Sequence, residues 1–255
     1  MNRFHFAESR ELSYVIGVIL GDGQIKIELK NYAYRVRLRV KDKEFAEKFA
    51  ECMQKILKTK KANKIFTELD RTRGYRRRFV ASVGSKEFVE FLKSNKEDLS
   101  NLAEKYPADF LRGLFDSEGF TSISPNMQFQ IGIGMANTNL ILLRKVKNIL
   151  QKEFGIKSHI TVSMKKNEEV KIWNKIYHAN KNVYCLAIHK YEHIKKFSQL
   201  IRFTIYRKQE KLEEAILLKH NRKASKIWKQ NYMKIGREWV KKIDSGAFPE
   251  SSLLL

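Results

Sequence analysis

Apolar residues along this chain switch between two periods, and the whole course is run twice. Over QIKIELK, Ile25, Ile27 and Leu29 fall on one side of a period-two pattern and Gln24, Lys26, Glu28 and Lys30 on the other, as in a half-buried strand. YRVRLRVK continues it, with Val36, Leu38 and Val40 inward and Arg35, Arg37, Arg39 and Lys41 outward. KEFAEKFAECMQKILK then takes helical spacing through Phe45, Phe49, Met53, Ile56 and Leu57. A second hairpin is expected over residues 64–70 and 75–83 around the turn-forming TRG, and a helix over 86–93.

The second half follows the same order. MQFQIGIGM sets Met127, Phe129, Ile131, Ile133 and Met135 against Gln128, Gln130, Gly132 and Gly134. A helix LILLRKVKNILQKEF follows, then strands near 159–164 and 183–189, then a helix near 191–200. Aligning VASV with CLAI makes this half's second hairpin longer by about ten residues. Each half reads α-β-β-α-β-β-α, too small to be comfortable alone, so two such units packed with pseudo-twofold symmetry make one α+β molecule. The boundaries expected are 1–104 and 105–218 for the two halves and 219–255 for a basic extension. In that extension Trp228, Tyr232 and Trp239 interleave with lysines, which suits either an extra helix packed on the body or a contact to a nucleic-acid backbone.

Composition narrows the partners. The 255 residues are 43% hydrophobic and 31% charged, a globular mixture. Two distant cysteines, Cys52 and Cys185, rule out a disulfide framework and lack metal-ligand spacing. No apolar run approaches the ~20 residues of a bilayer span and no signal-peptide core is evident, so a soluble intracellular protein is expected. Fifty-one Lys and Arg against 28 Asp and Glu leave a net charge of +23. Self-repulsion of that size calls for a polyanion, and nucleic acid is favoured over an anionic membrane surface.

Two short segments carry the candidate chemistry. VIGVILGDG and LRGLFDSEG place Gly17 opposite Gly113 and Asp22 opposite Glu118, both pairs 96 positions apart. Gly17 and Gly21, and Gly113 and Ser117, recur at four-residue spacing, which on helices makes smooth faces able to approach closely. Pro107 suits the first turn of the second helix, and Gly23 and Gly119 suit left-handed caps. Asp22 and Glu118 then lie at negative helix ends and near each other, a doubly unfavourable placement for anions. A hard divalent cation resolves it, taking both carboxylates together with helix-end carbonyls such as those of Gly21 and Ser117. No histidine or cysteine cluster suggests zinc, so Mg²⁺ is expected, with Mn²⁺ or Ca²⁺ as substitutes. Paired carboxylates sharing metal ions suit phosphodiester hydrolysis.

These two segments resemble the paired motifs of the LAGLIDADG homing endonucleases, in the monomeric two-motif form. The resemblance spans residues 8–218 in layout and is specific at the motifs. It implies that the motif helices form the central interface and that Asp22 and Glu118 bind the catalytic metals. It also implies that each half lays a four-stranded antiparallel sheet over the major groove of double-stranded DNA, for a staggered cut at a long asymmetric target. Arg112, Phe115 and Ser117 depart mildly from the usual pattern, and Glu118 replaces aspartate. The family's basic residue in each half would be Lys96 and Lys208, with Arg207 as alternate for the latter.

On this reading the DNA-facing residues of the first half are Gln24, Lys26, Glu28, Lys30, Arg35, Arg37, Arg39 and Lys41, net five positive charges. Arg71, Arg73, Arg76, Arg77 and Arg78 of the following hairpin suit phosphates or flanking bases. The second half offers Ser122, Ser124, Gln128 and Gln130, a polar face with less charge, so a non-palindromic target is expected. The alternative is a maturase that binds RNA of its own intron on the same fold. An intein is disfavoured, because Met1 is no splicing nucleophile and Asn221 is followed by Arg222.

Overall fold

A computed structural model describes residues 6–28, 30, 32–70, 76–96, 98–126, 128–172, 175–236 and 238–242. The first half runs α1 (Arg10–Leu20), β1 (Gln24–Glu28), β2 (Ala33–Val40), α2 (Lys43–Leu57), β3 (Phe66–Asp70), β4 (Arg76–Gly84) and α3 (Lys86–Ser94), then a single turn, α4 (Leu99–Leu102). The second repeats it with α5 (Pro107–Glu118), β5 (Gly119–Pro125), β6 (Phe129–Asn137), α6 (Leu140–Phe154), β7 (His159–Met164), β8 (Glu169–Ile172), β9 (Lys175–His178), β10 (Val183–Ile188) and α7 (Tyr191–Lys196). The added length of the second hairpin is the β8–β9 ribbon. The helix expected over 191–200 leaves α geometry after Lys196 and continues as a π turn, Phe197–Ile201.

Local signals start these helices. The Ser9 and Ser85 hydroxyls accept from the amides of Leu12 and Phe88, and the Asn139 side chain accepts from Leu142, so each cap satisfies a donor the helix leaves open. Pro107 stands in the first turn of α5, where its missing N–H costs nothing.

The two sheets have matching antiparallel orders, β1-β2-β4-β3 and β5-β6-β10-β7. In the first, Val36 and Leu38 are fully buried against α2 and α3, which contribute Phe45, Phe49, Phe88 and Leu92. One apolar cluster runs through both halves, joined where α1 packs on α5. The expected inward face of β1 is weaker than its alternation suggests: Ile25 is 39% exposed and only Ile27 packs on the core. β1 is an edge strand, so little protein lies over it.

Past the repeat, α8 (Tyr206–Leu218), α9 (Ala224–Asn231) and the hairpin β11 (Tyr232–Ile235) and β12 (Glu238–Lys241) wrap the second half. Trp228 is fully buried, stacks on Tyr232 with centroids 4.0 Å apart and tilts against Phe129. The Trp239 indole N–H donates to the carbonyl of Ile123 at 3.1 Å. These aromatics therefore pack the extension onto the body.

Candidate active site

The site begins with what the α1–α5 contact leaves out. A methyl group on Gly17 would collide with the Phe110 carbonyl oxygen and lie 2.9 Å from the Leu114 nitrogen; one on Gly113 would collide with the Tyr14 carbonyl. A methyl on Gly21 would run into Ser117 and come within 3.3 Å of the Glu118 side chain. Small residues thus bring two backbones together through van der Waals contact, and the pair ends with Asp22 and Glu118 side by side. Gly23 and Gly119 are not left-handed caps: Gly119 is extended, with φ −81°, and the positive-φ glycines among the described residues are Gly155 and Gly236. Both are glycine for space, since a methyl would meet Ile19 at one and Phe115 at the other.

Asp22 opens into a cleft of about 1060 Å³. It is exposed on one side, while the concave walls remove much of its remaining hydration. That loss raises its pKa, against the pull of Lys208 and Arg78. Glu118, half-buried, is raised by the same loss and by the Asp22 charge. Folding therefore favours the protonated forms, a contribution that is full below the ordinary carboxylate range and lost as pH rises through the folded values. Asp22→Asn or Glu118→Gln is accordingly expected to raise the thermal midpoint in metal-free buffer at about pH 7 and change it little near about pH 3.5. A midpoint below the parent's at neutral pH would contradict this.

Lys208, from the first turn of α8, reaches the end of α5. Its ammonium donates to the carbonyls of Asp116 and Gly119 at 2.7 Å each and of Phe115 at 3.3 Å. A cation on the last carbonyls opposes the negative end of the helix that carries Glu118. Burial pushes its pKa down to about 8, so it stays charged at neutral pH. Lys96 lies elsewhere, exposed in the turn after α3. Its neighbour Asn95 lines a hollow with Phe6, Glu8 and Leu12 at the start of α1, whereas Asp22 follows its end. Eleven helical residues span about 16 Å, so Lys96 is roughly a helix length from the carboxylates. The basic groups that the first half brings to the cleft are Arg39, Lys41 and Arg78, and of these Arg78 acts on Asp22.

The face of the first sheet turned away from α2 and α3 carries Gln24, Lys26, Glu28, Arg35, Arg37 and Arg39, aligned by the β1–β2 register. Lys30 and Lys41 are exposed beyond its strands. The five-charge surplus is reduced by neighbours from β3. Glu68 pairs with Arg37 and Arg39, and Asp70 with Arg39 and Arg78 at 3.3 and 3.4 Å. Arg77 is opposite Leu69, one step out of phase with Arg78, and belongs to the other face. Arg71, Arg73 and the Arg76 side chain fall outside the described residues. In the second half Ser122 and Gln130 are exposed and aligned with Gly132 and Ser124, and Gln128 is exposed just before β6. Phe120 lies over Gly134 on that face.

The chain's pattern had assigned no role to a buried polar link between the halves. Asp116, 1% exposed, accepts from the Tyr14 hydroxyl at 2.9 Å and from the Thr204 amide at 2.8 Å. Burial pushes its pKa up to about 6, while those hydrogen bonds and Lys208 restrain it. The signal available was a mismatch, since the equivalent position of the first motif is Leu20. Among the described residues no cluster of three or more His, Cys, Asp or Glu could hold a metal, so Asp22 and Glu118 are the carboxylates on hand.

Comparison with known proteins agrees with this geometry. A family model for a LAGLIDADG-like domain matches residues 105–202, and one for the WhiA LAGLIDADG-like domain matches residues 11–75. An uncharacterized protein of Methanocaldococcus jannaschii is 37% identical over 209 residues, which is 82% of this chain and 72% of the relative. The chain belongs to the LAGLIDADG family. Its two-motif fold is shared with the homing endonuclease I-DmoI. The complex of I-DmoI with DNA and Mn has a TM-score of 0.52 at 22% identity, covering 77% of this chain and 98% of that one. The complex with DNA and Ca has a TM-score of 0.53 at 21% identity, covering 80% and 97%. At that identity the likeness establishes the fold of this LAGLIDADG protein. Among its described residues no helix is long and apolar enough to cross a membrane.

Proposed function

We propose that this LAGLIDADG protein is a site-specific homing endonuclease that makes a staggered double-strand cut in DNA at a long asymmetric target. The family also contains WhiA-type members that are not endonucleases, so the fold alone does not carry the activity. What carries it is the pair of carboxylates retained at the joined ends of α1 and α5, with Asp22 lining a cleft that also holds basic residues and Glu118 beside it. A protein that only binds DNA has no use for two adjacent anions whose pKa values burial has raised, that of Glu118 further through the Asp22 charge.

The donor set fits a hard divalent cation such as Mg²⁺. Such an ion needs few protein ligands, keeps several waters and uses substrate phosphate oxygens for the rest. Asp22 and Glu118 would hold it, with the carbonyls of Gly21 and Ser117 adjacent in the chain. When bound, the cation supplies water activation and neutralises charge on the leaving oxygen. The chain's own part is positional and electrostatic. The α1–α5 packing sets the spacing of the carboxylates, and Lys208, locked on three carbonyls, adds a fixed positive charge beside them. Lys26, Arg35, Arg37 and Arg39 on one side and Ser122, Ser124 and Gln130 on the other present unlike faces to the two half-sites, which suits a target without a palindrome. With both motifs in one chain, a monomer assembles the whole site.

Incubating a randomised duplex library with the protein and Mg²⁺ and sequencing the cut ends tests the reading. A defined site with a constant overhang is expected, and no cut duplex with folded protein that binds DNA would sink it. Binding in EDTA should fall by about a thousandfold between roughly 50 and 200 mM salt. A salt-insensitive complex would count against phosphate contacts by the cleft.

A further inference from the structure

The C-terminal hairpin contributes an acid to the cleft, and the surroundings of that acid are unusual. Glu238, at the turn end of β12, faces three cations. Its Oε1 lies 3.1 Å from Arg207 Nη1 and 3.7 Å from Lys211 Nζ, and its Oε2 lies 3.7 Å from Lys41 Nζ. Lys234, Glu238 and Trp239 line the same cleft as Asp22, Arg39 and Ser122. Burial would raise the Glu238 pKa, yet the three cations together hold it below the ordinary value.

Resting on the DNA-cleft reading above, we propose that Lys41, Arg207 and Lys211 form a phosphate-binding subsite, filled in the free protein by the Glu238 carboxylate and taken over by a DNA phosphodiester. Lys211 is the strongest reason. It is 7% exposed, and among the described residues both its polar partners, the Glu238 carboxylate and the Trp239 carbonyl, come from β12. A buried ammonium must have an anion or acceptor, so the pocket always calls for an occupant. Arg207 is already held by Asp42 through two hydrogen bonds of 2.6 and 2.9 Å. An incoming phosphate therefore gains chiefly Lys41 and Lys211.

The hairpin is built to give way at its tip. Its root is anchored, with the Tyr232 hydroxyl donating to Glu214 at 2.7 Å and Lys241 bridging Glu210 and Glu214. Its turn carries Gly236 at φ +59° with open space around it, next to the closing Ile235–Glu238 pair. Release of the Glu238 side chain leaves these root contacts and the Trp239–Ile123 hydrogen bond in place.

The test is anisotropy of a labelled duplex of arbitrary sequence in EDTA. Glu238→Gln, which removes the competing carboxylate, is expected to bind about tenfold tighter than the parent, and Lys211→Met about tenfold weaker. Backbone hydrogen exchange at the closing pair, Ile235 and Glu238, should speed up when DNA binds while that at Tyr232 and Lys241 stays unchanged, a readout that does not depend on any variant folding well. Equal or weaker binding by Glu238→Gln, or slower exchange on DNA, overturns the subsite while leaving the nuclease reading intact. A parent chain that binds no duplex takes both down.

Discussion

Asp22→Asn, and separately Glu118→Gln, are expected to lower Mg²⁺-dependent cleavage by about three orders of magnitude or more while leaving duplex affinity in EDTA nearly unchanged. The reason is the division of labour in the cleft. Neither acid can attract a phosphate, so removing one charge leaves the electrostatic attraction of the sheet faces intact or slightly stronger. Each is half of a two-carboxylate donor set, and among the described residues no third acid joins it. An amide keeps the shape and loses the charge, so the ion's affinity and its water-activating effect fall together. The check is a single-turnover cleavage assay beside an equilibrium binding curve for each variant. Wild-type cleavage by either variant would remove that residue from the site, and loss of binding would reassign it to DNA contact.

Gly113→Ala is expected to destabilise the fold by about 3 kcal/mol, and Gly17→Ala by a similar amount. Most small-to-large changes meet side chains that can swing aside. Here the added methyl meets backbone, the Tyr14 carbonyl in one case and that of Phe110 in the other, within helices that can yield only by separating. Separation would also stretch the Tyr14–Asp116 hydrogen bond across the same interface. Urea denaturation reads the loss directly. A change within about 0.5 kcal/mol would mean that α1 and α5 are not in backbone contact. A milder Gly84→Ala change, where the methyl would meet only the Tyr34 carbonyl oxygen at 3.8 Å, separates this mechanism from simple loss of glycine.

Period-two and period-3.6 patterns placed most of the repeated elements, though not β5 of the second half, because strands buried on one face and amphipathic helices write their geometry directly into residue order. The motif helices were readable for a second reason: small residues four apart, twice, have few other uses. Charge counting read the sheet face less well. It summed Arg37 and Arg39 as free cations, whereas Glu68 and Asp70, on a strand about thirty positions later, lie against them. Lys96 failed similarly, since matching position after a helix says nothing about which end of the molecule that helix points to.

Residue order alone determined the duplication, the layer architecture and the pairing of Asp22 with Glu118, since each is written in local periodicity or in a repeat. Tertiary structure alone decided which cations stand beside those acids, that Asp116 joins the halves through Tyr14 and Thr204, and that Glu238 returns to the cleft from the far end of the chain. Those are meetings of single side chains from distant segments. No periodicity encodes them, because their distances depend on how whole elements pack.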